Sequence, residues 1–308
     1  MNTDIRMRTY VDHLVQIARD EKLDAIHVFG AFVTRPLVGA YAAIKCGLPL
    51  IVSFRGADLE VRIFSPALAQ LVVALKSAAA CVVNSRANQE LLTGLLKPEW
   101  PVLLAHNHVD PADFSSREDI ELNLKRQVIG SMGEFRRLTG LDFLLKAFAR
   151  LAQRRKDVSL LLIGPFRRIE MGYYSALIEA LGCSERIIRT GPVAHESILN
   201  YLAACDLMVF PSISDAAPNK ILEAMLAGRP IIASNAGGIP ELIEHDRDGL
   251  LVPPRQTEGI VNAIEALLAD PGRGADLARN AQQRVAAEFC PERARADWLG
   301  VYEAIGIC

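Results

Sequence analysis

The stretch VFPSISDAAPNKILEAMLAGRPIIASNAGGIPELIEHDRDGLLVPP, residues 209–254, decides the fold of this chain of 308 residues. It begins with an apolar strand that ends at Pro211-Ser212, continues through a polar loop that contains Asp215, and enters a helix whose first turn accepts Pro218. Two further apolar runs, RPIIAS and GLLVPP, follow within the same stretch. Strand, helix and strand in this order predict parallel β-strands joined by crossover helices.

Short apolar runs alternate with helix-length amphipathic segments along the whole chain. The runs are AIHVF (25–29), LPLIVSF (48–54), ACVVNS (80–85), VLLA (102–105), QVIGSMG (127–133), SLLLIG (159–164), RIIRTG (186–191), LMVFPS (207–212), RPIIAS (229–234) and GLLVPP (249–254). They are continuous rather than alternating, as in strands that are buried on both faces. We therefore predict an α/β fold with parallel sheets.

An acidic segment with Ser and Pro, DPADFSSREDIELNLK (110–125), interrupts this alternation after the fourth run. We interpret it as a linker between two Rossmann-like domains, residues 1–115 and residues 126–288. Ligands of open parallel sheets bind at the carboxyl ends of the strands, so two facing sheets would form a cleft.

Composition excludes several classes of protein. A hydrophobic content of 51% excludes disorder, and a net charge of -2 creates no overall field that would favour DNA or an anionic membrane surface, so an anionic ligand must be held locally. Six scattered cysteines without a CxxC pair indicate a reducing cytoplasm. No apolar run is long enough to span a bilayer, and the GxGxxG, GxxxxGK[ST] and GxSxG motifs are absent from the sequence.

Asp215 and Glu223 flank the start of the helix that follows the strand at Pro211. The free N–H groups and the positive dipole end at residues 217–220 can hold a phosphate without a cation. A carboxylate beside such a site can accept hydrogen bonds from sugar hydroxyls. The alternative is structural: Asp215 caps the helix, and Glu223 is a solvated helix residue.

Five short motifs stand in a fixed order here: PS (211–212), D (215), EAM (223–225), GRP (228–230) and GGIPE (237–241). Their order and spacing resemble the retaining GT-B glycosyltransferases of family four, the glycosyl transferases group 1 or glycogen-synthase-like enzymes. The resemblance implies a GT-B fold with two Rossmann-like domains facing across a cleft. It also implies a nucleotide-diphosphate sugar as donor, and neither a metal nor another cofactor.

The resemblance assigns the nucleotide ribose to Glu223 and the hydroxyls of the transferred sugar to Asp215. Together with Arg55 these are the predicted catalytic residues. The residues implied to bind the donor are Gly56, Gly133, Arg136, Arg137, Gly164, Val193, Ala216, Ala217, Pro218, Asn219, Lys220 and Glu223. For Gly164 and Val193 a plain turn role is the alternative.

The chain departs from the family pattern at the positions that meet the donor. Asp215 replaces Glu, and Glu134 and Thr139 replace an Arg and a Lys that clamp the diphosphate. Arg136 or Arg137 must substitute for these cations, unless the pair is a solvated loop. In the first domain, Arg55 takes the place of a His and could stabilise the leaving diphosphate.

Family members usually begin with another β-α unit, whereas here Met1 leads into a helix-like segment. The resemblance thus implies either a truncated start or a short form of the first domain, and for a truncated sheet we expect an exposed apolar patch near Ala25 to Phe29. The final segment, residues 291–308 with Trp298 and Tyr302, is expected to pack back onto that domain.

The leading hypothesis is a cytoplasmic, retaining glycosyltransferase that uses a UDP or GDP sugar and a saccharide or glycolipid acceptor in the synthesis of surface polysaccharides or glycoconjugates. The alternatives are a non-catalytic nucleotide-sugar-binding protein or inactive partner subunit, and a GT-B-like sugar-nucleotide epimerase. Peripheral contact with the inner face of a membrane is a further possibility, through the basic run at 154–156. The pair His106 and His108 lacks a third metal ligand, and Asp246-Arg247-Asp248 has a turn signature.

Overall fold

The computed structural model describes residues 3–30, 35–60, 68–114, 122 and 125–307. The chain divides into two compact units, Met1–His106 with Ala294–Cys308, and Asn107–Arg293. Most of the segment predicted as a linker lies outside the described residues, namely 115–121 and 123–124.

The first unit contains a four-stranded parallel sheet in the order β1-β2-β3-β4. Its strands are β1 (Ile26–Phe29), β2 (Leu50–Ser53), β3 (Ala78–Val83) and β4 (Val102–Leu104). Its helices before the second unit are α1 (Thr3–Asp20), α2 (Arg35–Cys46), α3 (Ala57–Glu60), α4 (Leu68–Leu75) and α5 (Arg86–Leu96). The whole of β2 is buried, as its uninterrupted apolar sequence requires.

The second unit contains a six-stranded parallel sheet in the order β10-β9-β8-β5-β6-β7. Its strands are β5 (Gln127–Met132), β6 (Val158–Ile163), β7 (Ile187–Arg189), β8 (Leu207–Phe210), β9 (Ile231–Ser234) and β10 (Leu250–Val252). Its helices are α6 (Leu141–Arg154), α7 (Met171–Ala180), α8 (Ile198–Ala203), α9 (Asn219–Leu226), α10 (Ile239–Leu242), α11 (Thr257–Ala269) and α12 (Pro271–Glu288). The order reverses between β5 and β8, which is where open sheets of this kind bind ligands.

Each of the ten apolar runs overlaps one strand, so the predicted α/β class with parallel sheets is confirmed. The helix α6 shows why the spacing of apolar residues in the sequence predicts a helix here. Its apolar side chains at the predicted helical spacing are all buried: Leu141, Leu144, Leu145, Phe148 and Leu151.

The division between the units differs from the predicted boundary at residue 115. Residues from Asn107 onward belong to the second unit, because their polar and apolar groups find partners there. The Asn107 side chain donates to the Ala217 carbonyl oxygen at 2.7 Å, and the Val109 N–H donates to the Phe289 carbonyl oxygen at 3.0 Å. Phe114 is buried in the core of the same unit.

The last helix, α13 (Pro291–Glu303), returns to the first unit for most of its length. Val301 is buried there against Ile51 and Val82. The Trp298 ring lies 5.3 Å from the His27 ring and 5.6 Å from the Phe29 ring, centroid to centroid. This helix therefore covers one face of β1 and β2.

Among the described strands, β1 lies at the edge of its sheet. Phe29 is 47% exposed. A cavity of about 590 Å³ beside the strand is lined mainly by apolar residues of α1, β1 and α2, among them Leu14, Ile26 and Val38. Apolar surface is thus exposed beside β1 in the described part of the chain, and the truncated or short first domain stays a prediction. None of the described helices is long and apolar enough to cross a membrane.

Candidate functional site

A pocket of about 360 Å³ opens in the second unit where β5 and β6 end and α9 begins. Its lining residues are Met132, Gly133, Ile163, Gly164, Pro165, Pro192, Val193, Ile198, Lys220 and Glu223. Carboxyl ends of parallel strands and the start of a crossover helix meet here, next to the reversal of strand order. The fold therefore brings together five residues that were predicted to bind a donor: Gly133, Gly164, Val193, Lys220 and Glu223.

The glycine after β6 is required by close contact with the neighbouring strand end. Gly164 has φ of 120°, and a Cβ atom there would lie 2.4 Å from the carbonyl oxygen of Gly133. Its N–H donates to the Thr190 hydroxyl at 3.0 Å. Gly164 thus has both of the roles considered from the sequence, because it forms the turn after β6 and also lines the pocket.

The loop that carries Asp215 is held by the GGIPE segment. The Gly238 N–H donates to the Asp215 carbonyl oxygen at 2.9 Å. A Cβ atom at Gly237, which has φ of 56°, would lie 2.1 Å from that same oxygen. The Asp215 carboxylate lies 3.2 Å from the Lys220 ammonium, Oδ2 to Nζ. The spacing of the two motifs thus reflects direct contact between their backbones.

The start of α9 has the properties of an anion site. Ala216, Ala217 and Pro218 are buried, whereas Asn219 is exposed. Pro218 is the N-cap residue, and no side chain caps the first turn. The interpretation of Asp215 as a helix cap is therefore wrong. The uncapped first turn presents the positive end of the helix dipole next to the pocket.

Glu223 lies in the second turn of α9 and lines the pocket although it is only 9% exposed. Burial raises the pKa of its carboxyl group, while electrostatic interaction with His195 and Lys220 acts in the opposite direction. The interpretation of Glu223 as a solvated helix residue is therefore wrong. A buried carboxylate at a pocket wall can accept hydrogen bonds from a bound polar ligand.

The loop after β5 uses Thr139 for its own structure. The Thr139 hydroxyl donates to the Arg136 carbonyl oxygen at 2.6 Å and accepts from the Arg136 N–H at 3.3 Å. These bonds close a single 3₁₀ turn, Arg137–Thr139. Glu134 is exposed, and the buried Phe135 donates its N–H to the Pro165 carbonyl oxygen at 2.8 Å.

The arginine pair that was predicted to replace the missing cations does not line the pocket. Neither Arg136 nor Arg137 is among the described residues of its wall. Arg136 is half-buried and Arg137 is exposed. The hydrogen bond to Asp142 and burial raise the pKa of Tyr173 on α7, and the charge of Arg137 acts in the opposite direction.

Arg55 and Gly56 belong to the first unit and follow β2. The Arg55 N–H donates to the Asp58 carboxylate at 3.1 Å, and its guanidinium carbon lies 5.5 Å from the centre of the Phe29 ring. Burial lowers the pKa of Arg55. Gly56 has φ of 41°, a conformation that favours glycine.

His27 is a neighbour of Arg55 that the sequence pattern did not single out. Its Nε2 lies 2.7 Å from the Ser53 hydroxyl and its Nδ1 lies 3.0 Å from the Tyr302 hydroxyl. Burial and the charge of Arg55 lower its pKa to about 4, so the ring is neutral near pH 7. Its only signal in the sequence was a polar residue within an apolar strand run.

The described residues contain no group of three or more His, Cys, Asp or Glu side chains that could hold a metal ion. His106 is engaged by Asp297, whose Oδ2 lies 3.2 Å from Nδ1. In the Asp246-Arg247-Asp248 segment, the Asp248 carboxylate accepts from the Glu244 N–H at 2.7 Å, as a turn residue does.

Comparison with known proteins agrees with this geometry. Residues 126–270 match the family described as glycosyl transferases group 1. These residues form a glycosyl transferases group 1 domain. The alpha-D-kanosaminyltransferase of Streptomyces kanamyceticus is 30% identical over 243 residues, which cover 75% of this chain and 62% of that protein. The chain thus spans less than two thirds of that relative's length.

Solved structures of glycosyltransferases share the fold. Sucrose-phosphate synthase from Thermosynechococcus elongatus matches with a TM-score of 0.83 and 21% identity, over 98% of this chain and 79% of that chain. HepE from Anabaena, in complex with UDP and glucose, matches with a TM-score of 0.77 and 26% identity, over 96% of this chain and 80% of that chain. The residues that line the pocket run from Met132 to Glu223, so all of them lie within the matched domain, residues 126–270.

Proposed function

We propose that this protein is a retaining glycosyltransferase that moves a sugar from a nucleoside diphosphate sugar to a saccharide or lipid-linked acceptor. The observation that carries the proposal is Glu223, a buried carboxylate that lines a pocket at the uncapped start of α9 within a glycosyl transferases group 1 domain. Surface polysaccharide or glycoconjugate synthesis, in the cytoplasm or at the inner face of a membrane, is the process we propose for it.

The donor we favour is a UDP sugar, because HepE, the 26% identical neighbour, was solved with UDP and glucose. In the proposed complex, Glu223 accepts hydrogen bonds from the ribose, and Asp215 accepts them from hydroxyls of the sugar. The first-turn amides of α9, at Asn219 and Lys220, meet the diphosphate. Gly133 and Gly164 let the backbone approach the nucleotide closely.

The proposed reaction breaks the bond between the anomeric carbon and the diphosphate oxygen and forms a bond from the acceptor oxygen to the same face of that carbon. The proton of the acceptor hydroxyl passes to the departing phosphate oxygen. The helix dipole and the amides of α9 stabilise the charge that develops on the leaving diphosphate. The same role for Arg55 stays a prediction.

A nucleotide-sugar-binding protein without transferase activity is the second candidate. Glu134 and Thr139 favour it, because an exposed carboxylate and a hydroxyl that is occupied within its own loop cannot neutralise a diphosphate. The pocket and Glu223 are the same in both candidates. They differ in whether the bound donor is turned over.

The test combines donor binding with donor turnover. A panel of UDP and GDP sugars is screened by thermal shift, and nucleotide release is then measured with wild type, Glu223→Ala and the control Glu179→Gln, an exposed carboxylate on α7. We expect binding and slow nucleotide release with wild type and the control, and loss of both in Glu223→Ala.

Binding without release, with every donor and with added saccharide acceptors, would favour the binding protein. An epimerase would convert the donor without any acceptor product. An α-linked product from an α-linked donor, assigned by NMR, would establish retention.

A further inference from the structure

The pocket of the second unit contains one cation that the family pattern does not include. The resemblance expects an Arg at position 134 and a Lys at position 139, and neither is present. The Lys220 side chain does line the pocket, whereas the two arginines of the β5 loop do not. A diphosphate bound here would meet positive charge from α9 and not from the loop.

The Lys220 side chain extends alongside Gly133 at the end of β5. Lys220 is the second residue of α9, and its side chain is 15% exposed. Its Cδ atom lies 3.4 Å, and its Nζ atom 3.9 Å, from the position that a Cβ of Gly133 would occupy. These are ordinary van der Waals distances, so the aliphatic part of Lys220 extends beside the end of β5 in contact with Gly133.

The ammonium group ends beside two polar groups of the Asp215 loop. Its Nζ lies 3.2 Å from the Asp215 carboxylate and 3.5 Å from the Ser212 hydroxyl. These contacts hold the charge at the first turn of α9, where the dipole already favours an anion. Partial burial makes this charge act more strongly on an anion than an exposed lysine would.

We propose that Lys220 is the cation that neutralises the diphosphate of the donor, in place of the Arg and Lys of the family pattern. This inference rests on the proposed function. The ammonium contacts the phosphate oxygens directly and stabilises the charge of the leaving group. Its ion pair with Asp215 sets the diphosphate-binding and sugar-binding groups side by side.

The experiment separates the diphosphate from the nucleoside. Binding of UDP is measured by calorimetry and binding of uridine by ligand-observed NMR, for wild type, Lys220→Met, Lys220→Arg and the control Lys146→Met. Lys146 is an exposed lysine on α6 of the same unit. If the wild type prefers guanine nucleotides, GDP and guanosine are used in place of UDP and uridine.

We expect Lys220→Met to weaken UDP binding about 10- to 100-fold and to leave uridine binding unchanged, because only UDP carries the charges that Lys220 meets. Lys220→Arg should retain most of the affinity.

A second arm tests replacement directly. Thr139→Lys is added to Lys220→Met, which restores a lysine at the position where the family has one. We expect this double variant to recover part of the lost UDP affinity. A lysine that only braces the Asp215 loop would not be rescued from the β5 loop.

Several outcomes would overturn the inference. They are equal losses of UDP and uridine binding in Lys220→Met, unchanged UDP binding in that variant, or a loss of UDP binding in Arg136→Met or Arg137→Met that exceeds the loss in Lys220→Met. Wild type that binds neither UDP nor GDP would instead overturn the proposed function. Circular dichroism of Lys220→Met and Lys220→Arg verifies that both variants are folded.

Discussion

Glu223 combines a buried position with a carboxyl group that lines a mainly apolar pocket. Its pKa is raised in the folded protein, mainly because burial disfavours the charged form. The unfolded chain has the ordinary Glu pKa, so ionisation of Glu223 costs stability as pH rises above that ordinary value. Below the unfolded pKa this cost is absent. A residue that costs stability where it lines a pocket is typical of a functional site.

We predict that Glu223→Gln loses nucleotide binding without losing stability. Its melting temperature at pH 7 should equal or exceed that of wild type, while UDP or GDP affinity falls about 10- to 100-fold, because a charged acceptor is replaced by a neutral amide. In wild type, affinity should fall on acidification at a pH above the usual Glu range, and Glu223→Gln should lack this pH dependence. Thermal melts and calorimetry test both points, with Glu179→Gln as control. A lower melting temperature with unchanged affinity would mean that Glu223 is structural.

At the scale of elements, α13 is the clearest case of a helix whose role depends on long-range contact. Val301 packs on Ile51 and Val82, and Tyr302 reaches His27 on the edge strand β1. The predicted return of residues 291–308 rested on a resemblance, and its apolar residues alone do not name their partners. The sheet of the first unit supplies those partners.

We predict that Val301→Ala lowers the free energy of unfolding of the first unit by about 1–3 kcal/mol, because it removes two buried methyl groups and leaves a cavity. Leu299→Ala on the same helix should change it by less than about 0.5 kcal/mol. Val301 is 2% exposed and Leu299 is 50% exposed. Denaturant titration with tryptophan fluorescence reads this unit, since both tryptophans, Trp100 and Trp298, belong to it. Equal effects of the two substitutions would argue against the packing role of α13.

For the molecule as a whole, a net charge of -2 supplies no general attraction for an anionic donor. Anion binding must therefore come from local groups, and the start of α9 with Lys220 is the set proposed above. In the part of the chain that the structure describes, no cluster of acidic, His and Cys side chains offers a metal site. That the nucleotide binds without a metal is implied by the resemblance and stays a prediction.

We predict that UDP raises the melting temperature and that EDTA does not remove this effect. At a UDP concentration about 100 times the Kd, binding adds about 2.7 kcal/mol to the unfolding free energy. The measurement is a thermal melt with UDP, with and without EDTA, followed by addition of Mg²⁺ or Mn²⁺. A shift that disappears with EDTA and returns with either metal would contradict the prediction. GDP serves as the parallel ligand.

The sequence by itself determined where the strands lie, that they pair in parallel, and which loop forms the site. Continuous apolar runs can be buried only in covered parallel sheets, and the spacing from Asp215 to Glu223 places both at one helix start. The GGIPE segment was recognised by its resemblance to the family pattern, and the structure gives the reason for Gly237, where close backbone contact excludes a Cβ atom.

Only the tertiary structure decided which charged groups share the pocket. The sequence offered Arg136 and Arg137 as replacements for the missing cations, whereas among the described residues the pocket wall contains Lys220 and neither arginine. The tertiary structure also buries Glu223, and it uses the Thr139 hydroxyl for a hydrogen bond within the 3₁₀ turn of the β5 loop. The physical reason is that periodicity and spacing specify backbone elements, whereas the direction and burial of a side chain depend on neighbours that are distant in the chain.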